Sequence, residues 1–326
     1  MKALKIIFII IGIIILIVLG ILGYVKYFLP NIGVSEMTIS VTPAGVERGE
    51  YLANHVMVCM ACHSVRDWSY FSGPPKPETH GAGGDEFTRE MGFPGNYYAP
   101  NVTPYNLKDW SDGELYRAIT SGVKKDGTPI FPVMPYLSYG KADVEDIYSI
   151  IAYIRSLEPI QKDIPQSEPD FPMGLIMNLM PQEPQHMIRP PASDKLAYGE
   201  YLTTVAACAD CHTPFEKGQP VSEMMYAGGR EFELPFGTLR APNITPDKAT
   251  GIGAWTESVF VNRFQAYDSI HKLERKNGMM EFNSLMPWNM YGSMEKDDLE
   301  AIYTYLRSLE PIEHQVEKVS YRSKTP

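Results

Sequence analysis

The stretch Cys59-Met60-Ala61-Cys62-His63 recurs 149 positions later as Cys208-Ala209-Asp210-Cys211-His212, and these two pentads use every cysteine of the 326-residue chain. Cys-x-x-Cys-His is the attachment pattern of c-type haem. Thiols at i and i+3 lie on one side of a helical turn and add across two vinyl groups, and the next residue offers an imidazole to the iron. A structural zinc site also uses Cys-x-x-Cys pairs, but zinc leaves the following histidine unexplained twice. Two disulfides are compatible with four cysteines in an exported protein, yet they explain neither spacing.

Working outward, the flanks of the pentads repeat as well. Gly49-Glu50-Tyr51-Leu52 matches Gly199-Glu200-Tyr201-Leu202, and Gly83-Gly84-Asp85-Glu86-Phe87 matches Gly228-Gly229-Arg230-Glu231-Phe232. Ala99-Pro100-Asn101-Val102-Thr103-Pro104 matches Ala241-Pro242-Asn243-Ile244-Thr245-Pro246, and Trp110 matches Trp255. Each half closes on Arg-Ser-Leu-Glu-Pro-Ile, at 155–160 and 307–312. The chain reads as a duplication, with an N-terminal segment at 1–30, one copy at 31–164, a proline-rich linker at 165–193 and a second copy at 194–326. Seven prolines between Pro165 and Pro191 bar a continuous helix or central strand there. Phe171, Met173, Met177 and Met180 predict that part of the linker packs on a surface.

Where local patterns are clear they are helical. Val144, Ile147, Ile150, Ile151, Ile154 and Leu157 recur at steps of three and four, as do Leu299, Ile302, Leu306 and Leu309, and each run stops before Glu-Pro. A shorter helix is expected over about 112–120, with Ser111 or Asp112 as N-cap. Helices over Val46–Cys59 and Ala197–Cys208 are expected to run into the pentads. The glycine pairs lack the Lys-Ser/Thr of a nucleotide loop and read as tight turns that let backbone approach a porphyrin.

A haem that only carries electrons needs both axial positions filled. Of seventeen methionines, Met134 in Met134-Pro135-Tyr136 and Met286 in Met286-Pro287-Trp288 are related by the 152-position offset of the terminal helices. They are the expected distal ligands opposite His63 and His212, and His/Met ligation raises the potential. His55, His80, His186, His271 and His314 have no counterpart in the other copy and read as surface or loop residues. Arg89 and Arg240 read as solvated charge in preference to propionate partners.

The segment Ile6–Leu29 carries one charge, Lys26, and is long enough to span a hydrocarbon core, which needs about 20 residues. No small-residue cleavage site follows it, so a retained anchor is expected in preference to a cleaved signal. Lys2 and Lys5 precede the span and place the body on the far side of the membrane. Three of the 29 Lys and Arg flank this span. The remaining 26 stand against 39 acids, a charge of −13 that excludes a phosphate-backbone partner and favours a basic protein or a small neutral one.

These phrases, with Phe236-Gly237-Thr238, Asp247 and Thr250-Gly251-Ile252-Gly253-Ala254-Trp255, resemble the class I cytochrome c domains in cytochrome subunits of bacterial membrane-bound alcohol and gluconate dehydrogenases. The resemblance spans about 45–315. It implies an all-α fold of two tandem haem domains, thioethers at Cys59, Cys62, Cys208 and Cys211, proximal His63 and His212, and distal Met134 and Met286. Two departures stand out: those subunits usually carry three such domains, and the first copy lacks the Thr-Gly-Ile-Gly stretch. The expected function is a membrane-anchored dihaem electron carrier, not itself an enzyme, on the periplasmic side of the bacterial inner membrane. Its partners are a membrane-bound donor or acceptor complex and a soluble redox protein. A dihaem peroxidase is the alternative, and it requires the two distal positions to differ.

Overall fold

Apolar side chains fill the first element from end to end. α1 (Lys2–Phe28) has 27 residues, none buried, and a mean hydropathy of 3.5 over its most apolar window. At about 1.5 Å per residue it is about 40 Å long, enough to cross a membrane. In the computed structural model, which describes residues 2–216, 218–234, 236–274 and 283–321, the remaining helices repeat in kind. Those of nine residues or more are α2 (Pro43–Tyr51), α3 (Asp112–Ser121), α4 (Val144–Ser156), α5 (Lys195–Val205), α6 (Glu257–Gln265) and α7 (Lys296–Ser308).

In each half the helix before the pentad packs along the terminal helix, α2 on α4 and α5 on α7. The repeated glycine makes this possible. A Cβ on Gly49 lies 1.9 Å from the Ser149 carbonyl oxygen, and one on Gly199 lies 1.9 Å from that of Ala301. α3 starts on a capping box in which Ser111 and Glu114 each bond the other's backbone N–H, and it ends at Gly122.

The helices expected to run unbroken into the pentads are interrupted. α2 passes into a widened turn in which the Met57 amide bonds Leu52 O at 2.7 Å. Val58 then turns left-handed at φ 46°, as Ala207 does at φ 54° in the second half. One left-handed residue ahead of each first cysteine swings the short turns Cys59–Cys62 and Cys208–His212 off the preceding helix axis.

The expectation of an all-α chain holds in part, since eight short strands accompany the helices among the described residues. β1 (Glu86–Phe87), β2 (Gly95–Tyr98) and β3 (Glu168–Pro169) form one antiparallel sheet, and β4 (Phe215–Glu216) pairs with β5 (Gln219–Pro220). β6 (Glu231–Leu234), β7 (Gly237–Arg240) and β8 (Val319–Tyr321) repeat the three-stranded arrangement. Loops that wrap a rigid group still have to pair their backbone donors, and these ladders of two to four residues do so. The start of the linker is therefore an edge strand, where proline is tolerated. Met177 is buried against the Tyr97 hydroxyl, whereas Phe171 is exposed.

Residues 31–42 lie along α3 and do not swing free. Arg117 Nη1 donates to Ile32 O at 3.0 Å, and the Ile39 amide donates to Asp112 Oδ2 at 2.8 Å. One apolar cluster runs through both halves, joining Leu52, Ile147 and Ile151 to Tyr201, Leu202 and Leu299. The polar contacts at this junction are reciprocal. Tyr51 donates to Asp298 Oδ2 at 2.7 Å and accepts from the Glu295 amide at 3.1 Å; Tyr201 donates to Asp146 Oδ2 at 2.6 Å and accepts from the Asp143 amide at 3.0 Å.

Candidate haem sites

Each pentad presents its histidine in one orientation, and the repeated phrases around it explain how. His63 Nδ1 lies 2.8 Å from Pro100 O, and His212 Nδ1 lies 2.8 Å from Pro242 O. A carbonyl can only accept, so Nδ1 carries the proton and Nε2 keeps its lone pair for a metal. Burial holds both imidazoles below their usual range, which keeps them neutral as ligands.

The proline carbonyl is itself positioned. The Gly83 amide bonds His63 O at 2.9 Å, and the Gly228 amide bonds His212 O at 2.7 Å. Both glycines have positive φ, and a Cβ there meets the Ala-Pro-Asn backbone at 2.4 to 2.7 Å. The first glycine of each pair thus lies close against the chain that holds the histidine. Asn101 Oδ1 accepts from the Thr103 amide and hydroxyl while its Nδ2 donates to Ile160 O at 2.8 Å. Asn243 does the same with Thr245 and Ile312. The Asn-x-Thr-Pro and Leu-Glu-Pro-Ile phrases recur together because one clamps the other.

The thiols of Cys59, Cys62, Cys208 and Cys211 are free, and each remains at least partly accessible. Surrounding protein nonetheless pushes Cys59, Cys62 and Cys208 up to about 12 and raises Cys211. Such neutral, flanked thiols, i and i+3 on a turn beside an oriented imidazole, fit the two thioethers and proximal nitrogen of haem c. Among the described residues no three His, Cys, Asp or Glu side chains converge into a protein-only metal site.

The methionine loops also share a backbone. The Tyr136 amide bonds Met134 O and the Trp288 amide bonds Met286 O, both at 2.8 Å. Both methionines are half-buried. The short turns that follow, Tyr136–Tyr139 and Trp288–Tyr291, cross to the other half, the first against α5 and the second against the widened turn at Leu52–Val56. Tyr139 donates to Met57 O at 2.8 Å and Tyr291 to Ala206 O at 3.3 Å, two residues ahead of each first cysteine. Burial raises both phenols well above 10.

The unrepeated histidines serve the scaffold. His55 Nδ1 bonds Met290 O at 3.1 Å across the halves, His80 Nε2 meets the Tyr153 hydroxyl at 2.7 Å, and His271 is exposed beside Glu274. His186 bonds the Tyr116 hydroxyl and Ala142 O, and His314 bonds Ala227 O at 2.9 Å. Arg89 pairs with Asp170 at 2.7 Å and Arg240 with Glu231 at 2.8 Å. The reading of the pentads missed Tyr51, Tyr201, Asp146 and Asp298. Their signal was present, since the tyrosines sit in the repeated Gly-Glu-Tyr-Leu and the aspartates share one offset.

With this geometry in hand, residues 196–310 match the family model described as Cytochrome c. Residues 196–310 thus carry a cytochrome c domain, and the match implies covalently bound haem c. The chain is similar to the cytochrome c subunit of an alcohol dehydrogenase (quinone) from Gluconacetobacter polyoxogenes, 28% identical with 82% of this chain and 56% of that one covered. It is also similar to the gluconate 2-dehydrogenase cytochrome c subunit of Pantoea cypripedii, at 28% identity over 81% of this chain and 59% of the relative. A diheme cytochrome c-type protein from Cereibacter sphaeroides is 26% identical over 58% of this chain and 64% of its own length. The chain thus spans little more than half the length of the dehydrogenase subunits it resembles.

Proposed function

We propose that this chain is a membrane-anchored dihaem c-type cytochrome that passes electrons between respiratory or dehydrogenase partners and performs no substrate chemistry of its own. The observation that carries the reading is the identical hold on His63 and His212, each with Nδ1 on a proline carbonyl at 2.8 Å and Nε2 without a hydrogen-bond partner among the described residues. A first haem domain at 31–164 and a second at 194–326 share one core. Cys59, Cys62 and His63 attach the first haem, and Cys208, Cys211 and His212 the second. Met134 and Met286 supply the distal sulfur. Haem provides the one-electron chemistry when bound; the chain orients it, sets its ligands and keeps water away.

α1 serves as the anchor, with Lys2 and Lys5 in the cytoplasm and the haem domains on the periplasmic side of the bacterial inner membrane. Tethering raises the local concentration of membrane donors and acceptors. The relatives whose names specify cytochrome subunits of dehydrogenases support a partner of that class. A peroxidase draws no support from them, and the matched Met134 and Met286 loops argue against it.

The test is the haem content of the full chain, matured with c-type haem attachment and measured by intact mass and reduced pyridine haemochrome. Two haems per chain are expected, falling to one in Cys208→Ser/Cys211→Ser and in Cys59→Ser/Cys62→Ser. One haem in the unsubstituted chain contradicts the reading.

A further inference from the structure

The two methionine loops share an internal backbone but differ in how the rest of the molecule holds them. The loop that leaves His63 crosses to the second half and inserts beneath Met286. Arg66 shapes it: Nε donates to Gly73 O at 2.8 Å, Nη2 donates to Ser72 O at 2.6 Å, and the guanidinium lies 4.0 Å over the Trp68 ring. Asp85 stands 3.8 Å from Arg66 Nη1. Ser72 at the tip is fully buried, with a left-handed φ of 68°. Left-handed backbone is uncommon for a non-glycine residue and persists when its surroundings hold it.

What holds Ser72 is the second methionine loop. Its amide donates to Asn283 Oδ1 at 2.7 Å, its hydroxyl donates to Met286 O at 2.5 Å, and the same oxygen accepts the Trp288 amide at 2.9 Å. Asn283 Nδ2 returns to Trp68 O at 3.4 Å and Tyr70 O at 3.3 Å, and the Phe71 amide bonds Leu273 O at 2.9 Å. One buried hydroxyl therefore pins both sides of the Met286-Pro287 turn. In the first half, among the described residues, no bond from the second half reaches the 133–136 backbone, and the buried Tyr136 hydroxyl has no partner.

We infer that Ser72 is a positioning residue for the second centre: a residue of the first half that holds Met286 on the iron, with no counterpart acting on Met134 among the described residues. The inference rests on the reading of Met286 as a distal ligand. Its physical basis is that a methionine on a turn pinned by a side-chain hydroxyl leaves the iron less often than one on a turn whose backbone receives no such hydrogen bond. The first centre should thus open to an added ligand more easily than the second, and removing the hydroxyl should abolish that difference.

Imidazole, which competes with the methionine sulfur for ferric iron, is the probe. It is titrated into the full-length ferric protein in detergent while the methionine-to-iron charge-transfer band is followed. In Met134→Leu the surviving band belongs to the second centre, and in Met286→Leu to the first. Ser72→Gly removes the hydroxyl and keeps a residue suited to positive φ. Added to Met134→Leu, it is expected to lower the imidazole midpoint about tenfold or more, the effect of losing the two hydrogen bonds of one buried hydroxyl. Added to Met286→Leu, it is expected to change nothing, and the exposed Ser69→Ala is silent in both backgrounds. Asn283→Ala repeats the test from the other side of the clasp should Ser72→Gly not accumulate with both haems. An unchanged second-centre midpoint, or an equal shift at both centres, overturns the proposal. A Met286→Leu protein that keeps both bands refutes the ligand reading itself, and the proposal with it.

Discussion

A phenol on a buried carboxylate closes the junction between the halves in both directions, Tyr51 on Asp298 and Tyr201 on Asp146. Asp146 also takes Arg48 through two bonds of 3.0 Å and an ion pair from Arg189. Removing a hydroxyl that satisfies a buried carboxylate costs about 1–3 kcal/mol. Tyr51→Phe and Tyr201→Phe are each expected to lower the unfolding free energy by that amount in urea titrations, with both haem spectra unchanged. A loss of haem ligation at unchanged stability would show that these tyrosines act at the irons. Gly199→Ala is a harsher case, because its Cβ must displace the Ala301 carbonyl from 1.9 Å. Its cost is expected at or above the upper end of the about 1–3 kcal/mol of overpacked cores, as measured in the same titration.

At the scale of elements, the widened turn Leu52–Val56 docks on Trp288–Tyr291 through His55, whose Nδ1 bonds Met290 O. Burial holds this imidazole below its ordinary 6.5. The unfolded chain therefore takes up the proton first, and the associated stability is complete above pH 6.5 and lost as pH falls through the folded-state value. Unfolding free energy measured from pH 8 downward is expected to decline below about 6.5, and His55→Gln is expected to flatten part of that decline; an unchanged slope would remove His55 from the junction. Helix positions were legible because apolar residues repeat at three- and four-residue steps, and α4 and α7 end where Glu-Pro ends them. The left-handed breaks at Val58 and Ala207 were not, since neither residue type favours positive φ and only the tertiary fold imposes it. The strands were equally hidden: ladders of two to four residues are too short for an alternating pattern to rise above loop composition.

For the molecule as a whole, duplication was the most readable feature, and the Gly-Gly, Asn-x-Thr-Pro and Leu-Glu-Pro-Ile phrases repeat together because they bond one another or the pentads. The junction was less so: Tyr51 and Asp298 lie far apart in sequence, and their pairing depends on how the halves meet. The charge of −13 on the body is a long-range property, and at about 0.15 M salt it is screened beyond about 8 Å. Binding of a basic soluble redox protein to the full chain in detergent is expected to weaken steadily as ionic strength rises. Affinity that does not change with salt would mean that this charge has no part in docking.

The central claim concerns two irons, each between an imidazole and a methionine sulfur. It is tested most directly by ferric-state EPR and near-infrared spectra of the full-length protein, repeated after half-reduction and addition of peroxide. Two low-spin centres, each with a methionine-to-iron charge-transfer band and neither altered by peroxide, are the predicted result. A high-spin centre that appears on half-reduction and turns over peroxide would contradict it, by showing that Met134 or Met286 is not a fixed ligand.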